Sequence, residues 1–214
     1  MDKHMVNNPA EIQLLFLLGP SGAGKSQVGA WLAADLNFLH IEIDRCPEGD
    51  GIDLAHIRPE WDAFLDRNDA GPLAKTLSSR VMETGRTGVV LTFTSLVVFN
   101  QPRIEQLRTK GISVIILYGS ESECLNSFLD REKRLARGME NNERHWIYYN
   151  RETHAEFSRP EYAPWRLTVF KDGVHRSRID IVNEIQRSIA NKKRESAPNV
   201  CDAWKMLNTS PYTA

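Results

Sequence analysis

Residues 19–26 read Gly-Pro-Ser-Gly-Ala-Gly-Lys-Ser, a spacing of glycines, lysine and hydroxyl that suits phosphate. The glycines let the backbone turn so that successive N–H groups point inward, and a helix beginning near Lys25 adds the positive end of its dipole. Lys25 supplies a mobile positive charge for the outer phosphates, and the Ser26 hydroxyl suits Mg²⁺. The pattern predicts a nucleotide-binding loop formed by Gly19, Ser21, Gly22, Ala23, Gly24, Lys25, Ser26 and Gln27.

Two carboxylates, Glu42 and Asp44, close the segment FLHIEID at residues 38–44. Side chains two positions apart lie on the same side of a strand, so both carboxylates are expected together near its carboxyl end. One could hold a metal-bound water, and the other could accept the proton of a substrate hydroxyl, as phosphoryl transfer to a hydroxyl requires. The alternative is an ordinary strand end with exposed acids.

Short apolar runs bounded by glycine, proline or charge predict five strands, at residues 12–18, 38–43, 88–94, 112–118 and 167–170. Between and after them, helical patterns occupy residues 25–36, 72–84, 102–110, 121–136, 142–157 and 175–190. The runs are continuously apolar, as expected of a sheet that is covered on both faces. Alternating strands and helices indicate parallel strands joined by right-handed crossovers. We expect an α/β fold in which helices sandwich a five-stranded parallel sheet.

The length of 214 residues predicts one domain over residues 1–190. Two segments interrupt the alternation, at residues 45–70 and 132–164, and both begin near the carboxyl ends of strands, where ligands bind in such sheets. The first interrupting segment includes a short helix or two, broken at Pro59. The C-terminal tail, residues 191–214, is expected to be disordered or to form a short helix near residues 203–207.

The composition is that of an ordinary globular protein, with 41% hydrophobic residues and a net charge of -1. This charge does not favour a nucleic acid or a membrane as partner, and the apolar run at residues 12–18 is too short to cross a bilayer. The three cysteines, Cys46, Cys124 and Cys201, form neither a CxxC pair nor a disulfide pattern. We expect a cytoplasmic monomer or homodimer whose partner is a small molecule.

The order of loop, helix and LNFLHIEID resembles the shikimate kinase and gluconate kinase group of small P-loop kinases. Lys25 precedes Glu42 by 17 residues and Asp44 by 19, which matches the shikimate kinase pattern. The resemblance implies a P-loop fold with ATP and Mg²⁺ as cofactors, and Lys25 and Asp44 as catalytic residues. In that scheme Asp44 contacts and activates the acceptor hydroxyl, Ser26 binds Mg²⁺, and Glu42 acts on Mg²⁺ through its bound water.

The resemblance makes residues 45–70 an acceptor-binding flap. Arg58 could pair with an anionic acceptor, since a guanidinium fork suits a carboxylate or phosphate. Trp61 and Phe64 could wall the pocket; the alternatives are an exposed arginine and a core tryptophan. Farther along the chain, Arg151 is the closest match to an arginine that faces the acceptor, and Arg159 is the alternative.

Residues 132–164 correspond to a lid, which in such kinases brings an arginine to the transferred phosphoryl group. Arg131, Arg134 and Arg137 recur every three residues at the end of the preceding helix. Arg131 is the preferred catalytic residue of the three. The alternative is a solvated basic helix end that the helix dipole favours.

The sequence departs from its relatives beyond these motifs. Residues 91–99, LTFTSLVVF, replace the three-glycine run that shikimate kinases carry after the third strand, and the third strand ends without an acid. The leading hypothesis is an ATP- and Mg²⁺-dependent kinase acting on a hydroxyl of a small anionic metabolite. One alternative is a nucleotide or nucleoside kinase, and the other is a nucleotide-dependent switch or binding protein with little transfer activity.

Overall fold

The computed structural model describes residues 12–43, 56–93, 100–135 and 143–196. Strands in these residues are β1 (Gln13–Leu18), β2 (Phe38–Glu42), β3 (Gly88–Thr92), β4 (Ile112–Tyr118), β5 (Arg166–Thr168), β6 (Phe170–Lys171) and β7 (Val174–His175). Helices are α1 (Lys25–Leu36), α2 (Arg58–Arg67), α3 (Gly71–Glu83), α4 (Gln101–Thr109), α5 (Glu121–Arg134), α6 (Glu143–Phe157) and α7 (Arg178–Ser196). Asp44, Arg137 and the segment at 203–207 lie outside the described residues.

Strands β1 to β5 form one sheet in the order β2-β3-β1-β4-β5. All four neighbouring pairs are parallel, and in the register of the central strand Phe16 lies opposite both Leu91 and Val114. The predicted α/β fold with a five-stranded parallel sheet is therefore confirmed. The carboxyl ends of all five strands lie at one edge of this sheet, and the phosphate loop follows its central strand.

Strand β1 is apolar from Leu14 to Leu18 because these side chains pack into two cores on opposite faces of the sheet. Phe16 lies in the core formed with α2, α3 and α4, while Leu15 and Leu17 lie in the core formed with α1 and α7. The result is three layers, with helices on both faces of the sheet. In the described part of the chain, no helix combines the length and apolar character needed to cross a membrane.

Pro59 begins a helix and does not break one. Helix α2 starts at Arg58 with Pro59 in its first turn, where the missing N–H would lack an intrahelical partner in any case. The predicted break thus coincides with the start of α2, and residues 44–55, before it, lie outside the described residues. The residues after β5 also differ from expectation, because Phe170 and His175 pair in a small antiparallel hairpin and α7 begins later, at Arg178.

A reciprocal cap fixes the start of α5, the helix that carries Arg131. The Ser120 N–H donates to Glu123 Oε2 at 2.8 Å, and the Glu123 N–H donates to Ser120 Oγ at 3.3 Å. These two bonds satisfy two donors that a helix start otherwise leaves unpaired. Hydrogen bonds from the Ser120 backbone and then its hydroxyl lower the pKa of Glu123 from its usual value of 4.5.

We expect Ser120→Ala to lower the free energy of unfolding by about 1 kcal/mol near neutral pH, because the substitution removes the cap. Since folding lowers the pKa of Glu123, the stabilisation from its carboxylate is present above pH 4.5 and is lost as the pH falls through the folded-state value. Urea unfolding at neutral and acidic pH measures both effects.

The matched control is Ser188→Ala, since the Ser188 hydroxyl donates within α7 to the Glu184 carbonyl and caps no helix. A Ser120→Ala effect no larger than that of the control, or one that grows on acidification, would contradict the prediction.

Candidate active site

The phosphate loop joins β1 to α1 and packs too tightly for side chains at two glycines. Gly22 and Gly24 have φ values of +88° and +81°, in the left-handed region that favours glycine. A Cβ on Gly22 would overlap the carbonyl oxygen of Cys124 in α5, and one on Gly24 would lie 2.7 Å from His175 Nε2 in the hairpin. The loop therefore takes its shape from α5 and the hairpin as well as from its own glycines.

The start of α1 has no side-chain cap. Its N-cap residue is Gly24, which makes no side-chain hydrogen bond, and the first turn carries no acid. By contrast, α4 and α5 are capped by the side chains of Asn100 and Ser120. The first N–H groups of α1 therefore suit an external anion, which the helix dipole also favours.

Lys25 lies folded over the loop and is only 7% exposed. Its ammonium group donates to the carbonyl oxygens of Gly19 at 2.8 Å and Pro20 at 3.0 Å. Ser26, the next residue, is exposed in the first turn of α1. A positive charge and a hydroxyl thus lie side by side at the mouth of the loop.

A cleft of about 260 Å³ opens at this loop and brings Lys25 and Arg131 together. Its lining residues are Ser21, Gly22, Gly24, Lys25, Ser26, Gln27, Ser127, Arg131 and Arg134. Among the described lining residues, three side chains are cationic and none is acidic, so the cleft attracts an anion. Loop residues and two of the predicted lid arginines, which lie 104 to 113 positions apart along the chain, therefore share one site.

Glu132 orients the guanidinium group of Arg131. Arg131 Nε donates a hydrogen bond to Glu132 Oε1 at 2.8 Å, and Arg131 Nη2 forms an ion pair with the same oxygen at 2.7 Å. The Glu132 side chain is 10% exposed and that of Arg131 45%, while the guanidinium carbon lies 5.2 Å from the ring centre of Phe128. Glu132 was not predicted as a site residue, because a single acid in a charged helix gives no sequence signal.

Helix α6 is bound to the phosphate loop and to the end of β4 through two buried polar side chains. Asn150 Nδ2 donates to the Ser21 carbonyl at 2.9 Å, and His154 Nε2 donates to the Gly119 carbonyl at 2.9 Å. The buried face of α6 is formed by Asn150, Thr153, His154 and Phe157. Buried polar side chains need hydrogen-bond partners. Polar residues at helical spacing could therefore have indicated such a face, but they were not predicted as site residues.

Glu42, the first of the two predicted carboxylates, lies at the end of β2. Glu42 is half-buried there and lies opposite Thr92 in the strand register. Thr92, buried at the end of β3, forms a hydrogen bond of 3.1 Å between its hydroxyl and His40 Nε2. The described part of this edge thus offers one carboxylate, Glu42, and its neighbour Asp44 lies outside the described residues.

Neither predicted acceptor arginine lines the phosphate cleft. Arg58 is exposed at the start of α2, and Arg151 is exposed on α6, where its Nε lies 2.9 Å from Glu121 Oε1. The alternative, Arg159, pairs with Glu156 at 3.0 Å. The assignment of Arg58 and Arg151 to the acceptor stays a prediction.

Two aromatic residues expected to wall an acceptor pocket lie in the core. Phe64 is fully buried, and Trp61, 3% exposed, stacks on Phe16 with ring centres 5.9 Å apart.

A buried thiol lies next to the phosphate loop, and burial raises the pKa of Cys124 to about 12. Because the thiolate is the nucleophilic form, Cys124 takes a packing role at neutral pH.

No protein-family model matches the chain. Shikimate kinase 2 from Shigella flexneri and from Escherichia coli (strain K12 / DH10B) are each 40% identical to it over 83 residues, which is 37% of this chain and 47% of each relative. The chain therefore matches about half the length of these curated relatives. The sequence matches confirm the resemblance to the shikimate kinase group.

Among solved structures, a shikimate kinase from Acinetobacter baumannii in complex with shikimate is 18% identical, with a TM-score of 0.49 over 86% of this chain and 96% of that one. A gluconokinase from Sinorhizobium meliloti 1021 is 23% identical, with a TM-score of 0.48 over 86% of this chain and 97% of that one.

We expect Arg131→Met to weaken binding of a fluorescent ATP analogue and to lower the free energy of unfolding by about 1–2 kcal/mol, because a mostly buried Glu132 carboxylate loses its partner. The double variant Arg131→Met/Glu132→Gln should regain stability without regaining nucleotide affinity. Urea unfolding and fluorescence titration separate the two effects.

Lys133→Met is the matched control, since Lys133 is an exposed cation on the same helix outside the cleft. Wild-type affinity in Arg131→Met, or recovered affinity in the double variant, would show that Arg131 does not serve the phosphates.

Proposed function

We propose that the chain is an ATP- and Mg²⁺-dependent kinase that transfers the γ-phosphoryl group to a hydroxyl of a small anionic metabolite. The observation that carries this proposal is the cleft that Lys25 and Arg131 share at the uncapped start of α1. The 40% identity to shikimate kinase 2 over 83 residues supports a small metabolite as the acceptor.

The residues of the loop suit a nucleoside triphosphate. Lys25 and Ser26 both line the cleft, the first N–H groups of α1 suit an anion, and Ser26 offers an exposed hydroxyl for Mg²⁺. When bound, ATP supplies the phosphoryl group and Mg²⁺ offsets its negative charge. Lys25 would exchange the carbonyls of Gly19 and Pro20 for phosphate oxygens, which a flexible lysine stem permits.

Arg131 would stabilise the charge that builds up on the transferred group. Such a role requires a guanidinium group that is already oriented, because an ordered donor needs no reorganisation at the moment of reaction. The hydrogen bond and the ion pair with Glu132 supply this orientation. Arg134 lines the same cleft and adds a second positive charge.

Asp44 would orient the acceptor hydroxyl and accept its proton, while Glu42 would hold a water of the Mg²⁺ ion. Mg²⁺ commonly keeps several waters and few protein ligands, which suits one hydroxyl at Ser26 and one carboxylate at a distance. Arg58 and Arg151 are our candidates for binding the negative group of the acceptor, because a guanidinium fork pairs with a carboxylate in two bonds.

We expect ADP release by the wild-type protein to depend on a hydroxy acid or a sugar acid, and we expect Asp44→Asn to abolish most of it, by about 10²-fold or more, through loss of the proton acceptor. A coupled assay over a panel of hydroxy acids, sugar acids, nucleosides and nucleoside monophosphates measures this. Asp62→Asn, which changes an exposed acid of α2, is the control.

Stimulation only by nucleosides or nucleotides would reassign the chain to a nucleoside or nucleotide kinase. Tight ATP binding with slow turnover, unaffected by every acceptor in the panel, would favour a nucleotide-dependent switch.

We expect Lys25→Met to reduce kcat/KM by about 10²-fold or more, because the lysine charge contacts phosphate in the transition state. The substitution keeps the length of the stem, so circular dichroism should show an intact fold. Lys75→Met, which changes an exposed lysine of α3, should leave the kinetics unchanged. Retention of wild-type kcat/KM by Lys25→Met would show that the loop lysine takes no part in the reaction.

A further inference from the structure

We propose that Asn150 of α6 is a positioning residue that holds the phosphate loop in the shape that binds nucleotide. The inference rests on the proposed function only in taking this loop as the nucleotide site. Asn150 is not one of the predicted site residues. It acts on the nucleotide through the backbone of the loop.

The first observation is a hydrogen bond between distant parts of the chain. Asn150 Nδ2 donates to the Ser21 carbonyl at 2.9 Å, and the two residues are 129 positions apart. The bond is partly buried, because Asn150 is fully buried and Ser21 is half-buried. A bond with a buried donor is costly to break and holds the carbonyl in one direction.

The direction of the Ser21 carbonyl determines the direction of the next N–H group. A trans peptide is planar, and its C=O and N–H point to opposite sides. Because the Ser21 carbonyl points towards Asn150, the Gly22 N–H points away from α6. Gly22 lines the cleft, and as a glycine it has no Cβ to restrict its backbone. The bond from Asn150 therefore restrains this peptide in addition to the packing of Gly22 against the Cys124 carbonyl.

The donor itself has a fixed position. One turn after Asn150, His154 Nε2 donates to the Gly119 carbonyl at 2.9 Å, and the His154 ring stacks on Tyr118 with ring centres 5.2 Å apart. At the end of α6, Phe157 is fully buried in the core. These contacts hold α6 against the edge of the sheet. They fix the position of Asn150 Nδ2, and the Ser21 carbonyl must point towards it to form the hydrogen bond.

The second observation concerns the other end of the same amide. In the described part of the chain, the buried Asn150 Oδ1 has no hydrogen-bond partner, a condition that costs stability. An apolar side chain of similar volume would avoid this cost. Packing alone therefore does not favour asparagine at position 150, whereas the Nδ2 bond to the phosphate loop does.

The test compares Asn150→Leu with the wild-type protein in two measurements. Calorimetric titration with MgADP should show a rise in Kd of about fivefold to tenfold, the effect of one buried hydrogen bond. Urea unfolding should show a free energy of unfolding close to that of the wild type, because loss of the bond to Ser21 and removal of the unpaired Oδ1 act in opposite directions. A purely structural residue would instead lose stability and keep its affinity for MgADP.

Thr153→Val is the control on the same buried face. The Thr153 hydroxyl donates within the helix to the Tyr149 carbonyl and does not contact the loop, so its MgADP affinity should match the wild type. Equal MgADP affinity in Asn150→Leu, Thr153→Val and the wild type would overturn the proposal.

Hydrogen exchange on the wild-type protein keeps the proposal testable if Asn150→Leu does not fold. Coupling between loop and helix is reciprocal, so MgADP should slow amide exchange in α6 around Asn150 as well as in the loop. Protection limited to the loop would overturn the proposal. A wild type that binds MgADP but phosphorylates no acceptor would contradict the proposed function alone, since both measurements here use nucleotide without acceptor.

Discussion

Close packing around the phosphate loop is the constraint on which the site depends. Gly22 lies against the Cys124 carbonyl, Gly24 lies against His175, and the Ser21 carbonyl is bound by Asn150. Inside the loop, Lys25 donates to two carbonyls. A backbone cradle binds phosphate well only when its N–H groups are already oriented, because the ligand otherwise has to order them. Helices α5 and α6 and the hairpin provide that order from outside the loop.

The same construction extends to the cationic side chains of the cleft. Arg131 is oriented by a mostly buried carboxylate, and α5, which carries both, begins at a reciprocal cap formed by Ser120 and Glu123. Helix α5 follows the carboxyl end of β4 and the hairpin follows β5, while α6 comes after α5 along the chain. The parallel sheet therefore determines the site indirectly, by bringing the ends of β1, β4 and β5 to one edge.

The sequence predicted the sheet and the phosphate loop because both have local signals, an apolar run and a short motif. It did not predict Asn150 as part of the site, since its partner Ser21 lies 129 positions away and no local pattern records such a contact. The sequence signal for the hairpin is the pair Asp172-Gly173, which is typical of a tight turn. In the structure these residues have φ values of +52° and +77°. The assignment of residues 167–170 to one strand concealed it.

Contact between Gly24 and His175 links the two ends of the domain. The imidazole occupies the space that a side chain at position 24 would need, and it is held there by edge-on contacts with Trp31 and Phe170. Because Gly24 also has a φ of +81°, its backbone restricts position 24 to glycine whatever residue stands at 175. A smaller side chain at 175 would therefore leave a gap beside the loop that no residue at position 24 could fill.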